Sequence, residues 1–346
     1  MAYVVQSTEK VRGTGADFET KAMLYLMCFR YDSNEISYFA IDFYNDVTGL
    51  SIHADKAWDV QSKGTKKVSA KEIGRELVTL FKNEMSDLNF DYLILFMSSV
   101  PESFRKDASK NHFGIDNIED KSFKSLREGL VSELNKRTFS YIDAAWITDC
   151  NIDSFLKKVT FVIDDKTKAD YIKGIISVNP KYIQNDNILD GIFNIIRDKQ
   201  AGKKNSKSVE GEIVAHLRDV NLYGRTLTSK EIRLMVLNSL VNHDVMKAPA
   251  PHSFYELIKN YDGIEQKNLV EDCKLNISSV LFDKTYSEEF WKLLDLICNT
   301  LYKNKALSVK ETFDKLSNHK AVKNPRLTDF TVIYLISVIK EALLDY

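Results

Sequence analysis

Asp46 in "YNDVTG" and the pair Gln61 and Lys63 in "AWDVQSKG" are the residues whose types and spacing best suit chemistry. Period-two alternation along a strand puts Asp59, Gln61 and Lys63 on one face and Trp58, Val60 and Ser62 on the other. One face of that strand is therefore polar. In a curved sheet the start of the preceding strand lies beside it, which brings Asp46 toward Gln61 and Lys63. Glu19, from a helix ahead of the strands, adds a second carboxylate. Such a set suits a hard divalent cation: Mg²⁺ takes oxygen ligands, keeps several waters, and leans on one or two carboxylates plus a substrate phosphate. The cation polarises a phosphoryl oxygen and generates hydroxide, while Lys63 offsets developing charge or orients the attacking water. The reaction served is phosphodiester hydrolysis. Each residue also has a plainer role open to it. Asp46 is a turn former by type, Gln61 and Lys63 fit a solvated strand face, and Glu19 fits a first-turn acid against the helix dipole. Asp42 and Asp59 suit supporting or solvated positions.

The elements that must hold these residues follow from pattern. "DFETKAMLYLMCF", from residue 17, has a broad apolar helical face. "EISYFAIDF", "VTGLSIHA" and "KAWDVQSK" are three consecutive strands rich in β-branched and aromatic residues, with His53 in the second. Ser69 and Glu72 form a capping box ahead of the helical "EIGRELVTLF". "FDYLILFMSS" is apolar almost throughout, as a strand buried on both faces should be. A helix at "FKSLREGLVSEL" and a strand at "LKKVTFVID" complete this half. Beyond residue 165 the spacing becomes helical, with capping-box pairs at Thr228/Glu231, Ser253/Glu256, Thr285/Glu288 and Ser308/Glu311. "DKQAGKKNSKS", residues 198 to 208, has the composition of an exposed polar loop, so Lys203, Lys204 and Lys207 count as solvated. The fold expected is an α/β domain over residues 1–165, with a mixed sheet flanked by helices, followed by an all-α domain over residues 166–346.

Composition narrows the function classes. With 48 Lys and Arg against 49 Asp and Glu in 346 residues, no global field draws the chain to polyanions, and a nucleic-acid site must be a local patch. Lys66 and Lys67, beside the candidate site, are such a patch. Cys28, Cys150, Cys273 and Cys298 are scattered among apolar runs, as reduced thiols of a cytoplasmic protein are. The N-terminus has no signal-peptide pattern, and the apolar run "FTVIYLISVIKEALL" carries Lys340 and Glu341 and falls short of the roughly 20 residues of a bilayer span. No membrane association is expected. His243, Asp244 and His252 lack a metal-ligand spacing. Gly13 and Gly15 lack the strand and third glycine of a nucleotide-binding fingerprint, and no Walker-type loop is present to hydrolyse ATP.

At "GADFETKAMLYLM", "IDFYNDVTGL" and "WDVQSKG" the chain resembles the PD-(D/E)xK nuclease core in its Gln-x-Lys variant. More narrowly, it resembles the nuclease domain shared by the CBASS double-stranded DNA endonuclease effectors and the Lamassu antiphage effector subunit, over roughly residues 10–165. The resemblance implies a restriction-endonuclease-like domain in which Asp46 and Gln61 hold Mg²⁺, or Mn²⁺ in its place. Lys63 would act in catalysis and Glu19 supply a further acid. The chain departs from the pattern in carrying Asp42 where the family often has Glu. It also carries Gly64 where a basic residue often follows the lysine. Residues 166–346 lack the strands of a cyclic-nucleotide sensor, so the Lamassu type is the nearer likeness. It implies a helical docking and oligomerisation domain, double-stranded DNA as substrate, and an SMC-like ATPase and a small third subunit as partners that restrain the nuclease until it assembles into an active homo-oligomer. Two readings compete with it: a non-catalytic nuclease-like scaffold, and a restriction nuclease that depends on modified DNA.

Overall fold

The computed structural model describes residues 3–5, 13–65, 68–136, 142–177, 186–205, 208–283 and 285–344. The chain divides into two compact units: residues 1–167 with 196–229, and residues 168–195 with 230–346.

The first unit is built on β1 (Tyr3–Val4), α1 (Gly13–Cys28), β2 (Tyr38–Ile41), β3 (Val47–Leu50), β4 (Ala57–Lys63), α2 (Ala70–Glu76), α3 (Val78–Met85), β5 (Tyr92–Met97), β6 (His112–Phe113), α4 (Asp120–Leu134), α5 (Asp149–Lys158) and β7 (Val159–Ile163). After α6 (Lys168–Ile176) in the second unit and α7 (Asp186–Lys204), which runs from one unit into the other, the first unit gains β8 (Ile213–Val214) and β9 (Thr226–Thr228). Seven strands form one mixed sheet in the order β6-β7-β5-β4-β3-β2-β9, with β4, β5 and β7 parallel and the other pairs antiparallel. β1 and β8 pair separately.

Alternation along the central strands sorts the helices onto two faces. Ala57 of β4 and Leu93, Leu95 and Met97 of β5 share a core with Ile73, Leu77, Phe81, Leu126 and Phe155 of the α2–α5 region. Phe96 points the other way, where the rings of Phe18 and Tyr25 of α1 pack against it at a tilt, with centroids 5.0 and 5.3 Å away. Ser69 and Glu72 make the expected capping box. α2 and α4 approach backbone to backbone: a Cβ on Gly74 would lie 1.9 Å from the Leu126 carbonyl oxygen, and one on Gly129 2.0 Å from that of Lys71. Only glycine permits that crossing.

The second unit adds α8 (Ser229–Leu240), α9 (His252–Leu257), α10 (Gly263–Phe282), α11 (Ser287–Lys303), α12 (Val309–Leu316) and α13 (Asp329–Leu344). α8 begins at Ser229, the last residue assigned to the first unit. α13 is the apolar run at the C-terminal end. Its Val332, Tyr334, Leu335, Ile336, Val338 and Ile339 are buried among α9 to α12, as a helix that is apolar around most of its surface requires. Among the described residues no helix is long and apolar enough to cross a membrane.

Three expectations are corrected. Residues 166–346 are not uniformly helical, because 196–229 return to the first unit and place β9 beside β2 at the sheet edge. Strands of two and three residues are too short to show alternation, so their type is set by the open edge they pair with. His53 lies in the exposed turn between β3 and β4 rather than in a strand. Of the caps, Ser308/Glu311 forms its box, but α10 is capped by Asp262 with Glu265. Ser253 instead donates its N–H and Oγ to Glu341.

Candidate active site

The hairpin joining β2 to β3 is where the acids gather. Asp42 adopts φ 47°, a left-handed conformation that Asp tolerates better than most residues, and its N–H closes the turn onto the Asp46 carbonyl at 3.1 Å. The register that pairs Val47 with Val60 continues to set Asp46 across from Gln61. Asp46 Oδ2 accepts from Gln61 Nε2 at 2.9 Å, from the Ser62 N–H at 2.7 Å and from Ser62 Oγ at 2.8 Å. Burial, then the neighbouring Glu19 carboxylate, push the Asp46 carboxyl up to about 8, against the Ser62 donors and Lys204.

Glu19, buried on α1, accepts from Lys204 Nζ at 3.2 Å. Lys204 also stands 3.6 Å from Asp42 Oδ1, and Arg225 Nη1 donates to Asp42 Oδ2 and to the Asp42 carbonyl, both at 3.1 Å. Burial raises the Asp42 carboxyl, with Lys204 and then Arg225 opposing. For Lys204 burial works downward, but Glu19, Asp42 and Asp46 outweigh it and the ammonium is held more firmly than usual. Among the described residues Glu19 and Asp42 thus share Lys204, Asp42 also pairs with Arg225, and Asp46 feels Lys204 without pairing with it.

Of the expected site residues, Asp46, Gln61 and Glu19 come together, and Asp42 joins them through Lys204. Lys63 does not join. Its ammonium pairs with Glu76 Oε1 at 2.7 Å. Gln61 and Lys63 share one side of β4 by alternation, so what holds Lys63 away from the cluster is its pair with Glu76 at the end of α2, not the pleat. Asp59 is fully buried and accepts from Asn83 and Thr48 at 2.8 Å and from Asn45 at 3.1 Å. Burial lifts its carboxyl to about 6 against those donors. It is linked to Asp46 through Asn45, whose Oδ1 accepts the Asp46 N–H at 3.0 Å. Lys66, Lys67 and Lys207 lie outside the described residues.

Lys204 corrects the reading of residues 198–208 as a solvated loop. The segment is helical to Lys204, whose side chain is 10% exposed. Arg197, Gln200 and Lys204 recur at i, i+3 and i+7 and therefore share one helix face. They meet Asp17, Thr20 and Glu19 of α1 at 3.0, 2.8 and 3.2 Å. The helical spacing of these polar residues was the signal available in the sequence. Its meaning depended on a polar stripe of α1 distant in the chain. Ser62 and Arg225 carried no such signal.

Among the described residues no three His, Cys, Asp or Glu side chains form a metal-ligand set. What the site offers a hard cation is sparser. Asp46 Oδ1 accepts no hydrogen bond among the described residues, and the side chain is only partly buried. With the Gln61 amide nitrogen on Asp46, its Oε1 is the end left for a cation. With Glu19 close enough to raise Asp46, this donor set fits an ion that keeps most of its waters. No protein-family model, curated protein or solved structure matches this chain.

Proposed function

We propose that the chain is a metal-dependent DNA endonuclease of the PD-(D/E)xK type, in its Gln-x-Lys variant. The Asp46–Gln61 contact beside Glu19 carries this reading, and the order α1, three antiparallel strands, α2 and α3, then a parallel β5 supports it. A bound Mg²⁺ or Mn²⁺ would polarise the phosphoryl oxygen and make a bound water acidic enough to attack. Asp46 and Gln61 would hold it by one oxygen each, with Glu19 adding charge. The Ser62 donors fix the Asp46 carboxylate, and Asn45, braced by Asp59, fixes the turn. In the cell we place it as the cytoplasmic effector of a Lamassu-type antiphage system. It would cut double-stranded DNA with little sequence preference once released from an SMC-like ATPase and a small third subunit, and act as a homo-oligomer.

Plasmid cleavage by the purified chain in Mg²⁺, Mn²⁺ and EDTA, over a range of protein concentrations and alongside Asp46→Ala, tests the reading. Metal-dependent nicking or linearisation that Asp46→Ala abolishes is the expected result. Cleavage that persists in EDTA or in Asp46→Ala would overturn it. The second reading, a nuclease-like scaffold, draws support from Lys63 being tied to Glu76. It predicts no cleavage either alone or after co-purification with its partners.

A further inference from the structure

We propose that Lys204, rather than Lys63, is the ammonium of this acid site, and that it shares the carboxylates with the divalent cation. The chemical part rests on the nuclease reading above; the placement rests on geometry. Lys204 Nζ lies 3.2 Å from Glu19 and 3.6 Å from Asp42, with its side chain 10% exposed, whereas Lys63 is 29% exposed and spent on Glu76 at 2.7 Å. Among the described residues Arg225 is the other cation at the cluster, and its Nη1 is committed to both the side chain and the carbonyl of Asp42. A lysine is a compact charge on a flexible stem and can exchange partners where a forked guanidinium pair resists. The Arg197–Asp17 and Gln200–Thr20 contacts hold the last turns of α7 against α1, so the position of Lys204 is built into the fold.

This arrangement gives Lys204 two tasks. Without a metal it neutralises Glu19 and Asp42. A metal on the carboxylates would free it to turn toward the phosphate, where its charge would offset that developing on the phosphoryl oxygens. Hydrolysis balances without another reagent: the water oxygen bonds to phosphorus and the bond from phosphorus to one sugar oxygen breaks. The water proton passes to solvent, and the leaving oxygen takes a proton from solvent. Lys204 contributes charge and exchanges no proton.

The test measures Mn²⁺ affinity by paramagnetic resonance and plasmid cleavage in parallel, for the full chain and for Lys204→Met, Lys204→Arg and Lys63→Ala. Circular dichroism melts verify folding. Removing a like charge from the same carboxylates should tighten Mn²⁺ binding about tenfold in Lys204→Met, while Lys63→Ala shifts it less than about twofold. Cleavage should fall about a hundredfold or more in Lys204→Met, recover in part in Lys204→Arg, and fall less than about tenfold in Lys63→Ala. Unchanged Mn²⁺ affinity in Lys204→Met overturns the placement. Cleavage kept in Lys204→Met but lost in Lys63→Ala overturns the chemical role. If no form cleaves yet Lys204→Met tightens Mn²⁺, the shared site stands and the nuclease reading falls.

Discussion

Asp46 and Asp59 belong to the same hairpin, and burial raises both carboxyls, yet their surroundings differ in kind. Asp59 is fully buried and meets three neutral donors, from Asn83, Thr48 and Asn45, that answer both of its oxygens. Asp46 has three donors crowded onto one oxygen, a second carboxylate close by and a partly open side chain. A satisfied buried acid is a structural strut; an acid placed near its like, with one oxygen unanswered, is what the proposed cation site calls for. On the proposed function, two acids on one hairpin thereby separate into a support and a working group.

The sharpest way to break that comparison is Asp46→Asn. The amide retains an oxygen for the Ser62 donors but loses the charge, so cleavage should drop by about a thousandfold. Because the substitution relieves repulsion with Glu19, the protein should melt no lower than the native chain. A collapse of thermal stability would make Asp46 a strut like Asp59.

Asp59→Ala should show the reverse. Deleting the acceptor strands three buried donors, which costs about 3 kcal/mol or more and lowers the melting temperature by roughly 6–12 °C for a unit of this size. The folded fraction should still cleave, at a rate reduced only as far as Asn45 loosens the Asp46 turn. Complete loss of cleavage in folded Asp59→Ala would show that the strut also acts directly.

The hairpin and the acids on it were legible in the sequence because each rests on local rules. The strands alternate, Ser69 and Glu72 cap a helix, and Asp46 opens a hairpin whose second strand, β4, has polar residues at every second position. The partner of Lys63 is not legible in the same way. Lys63 follows Gln61 by two along β4, as the local pattern has it, but the partner that takes its ammonium, Glu76, is brought there by α2. Lys204 sits in a run whose composition matches a loop, and only its meeting with α1, some 185 residues away, makes it helical and buried. Edge strand β9 escaped detection likewise, since the partner that orders three residues of "TLT" is β2.

The two carboxylates should also separate by pH in metal-free protein. A carboxyl raised in the folded state binds its proton more tightly there than in the unfolded chain. Its contribution is complete below the unfolded value of about 3.9 and is lost as pH rises through the folded one. Asp59 accounts for a decline toward pH 6 and Asp46 for one extending toward pH 8. Urea midpoints in EDTA at pH 4.5, 6 and 8 should therefore fall with rising pH, and Asp46→Asn should flatten the upper part of the curve. Equal slopes for the two proteins between pH 6 and 8 would place the Asp46 carboxyl in the ordinary range.

Glu76→Gln should have the smallest effect and bears most directly on the two lysines. The Lys63–Glu76 pair is about a quarter exposed on each side, and solvent-screened pairs of this sort contribute about 0–1 kcal/mol, so stability should hardly change. On the proposed reading Lys204, 3.2 Å from Glu19, already supplies the ammonium, so freeing Lys63 from Glu76 adds little. Cleavage should accordingly change by less than about threefold, the scale of a lost surface pair. A rise of tenfold or more would mean that Glu76 restrains a lysine able to reach Asp46. It would return the catalytic ammonium to β4 and leave Lys204 as a counter-ion that only steadies the acids.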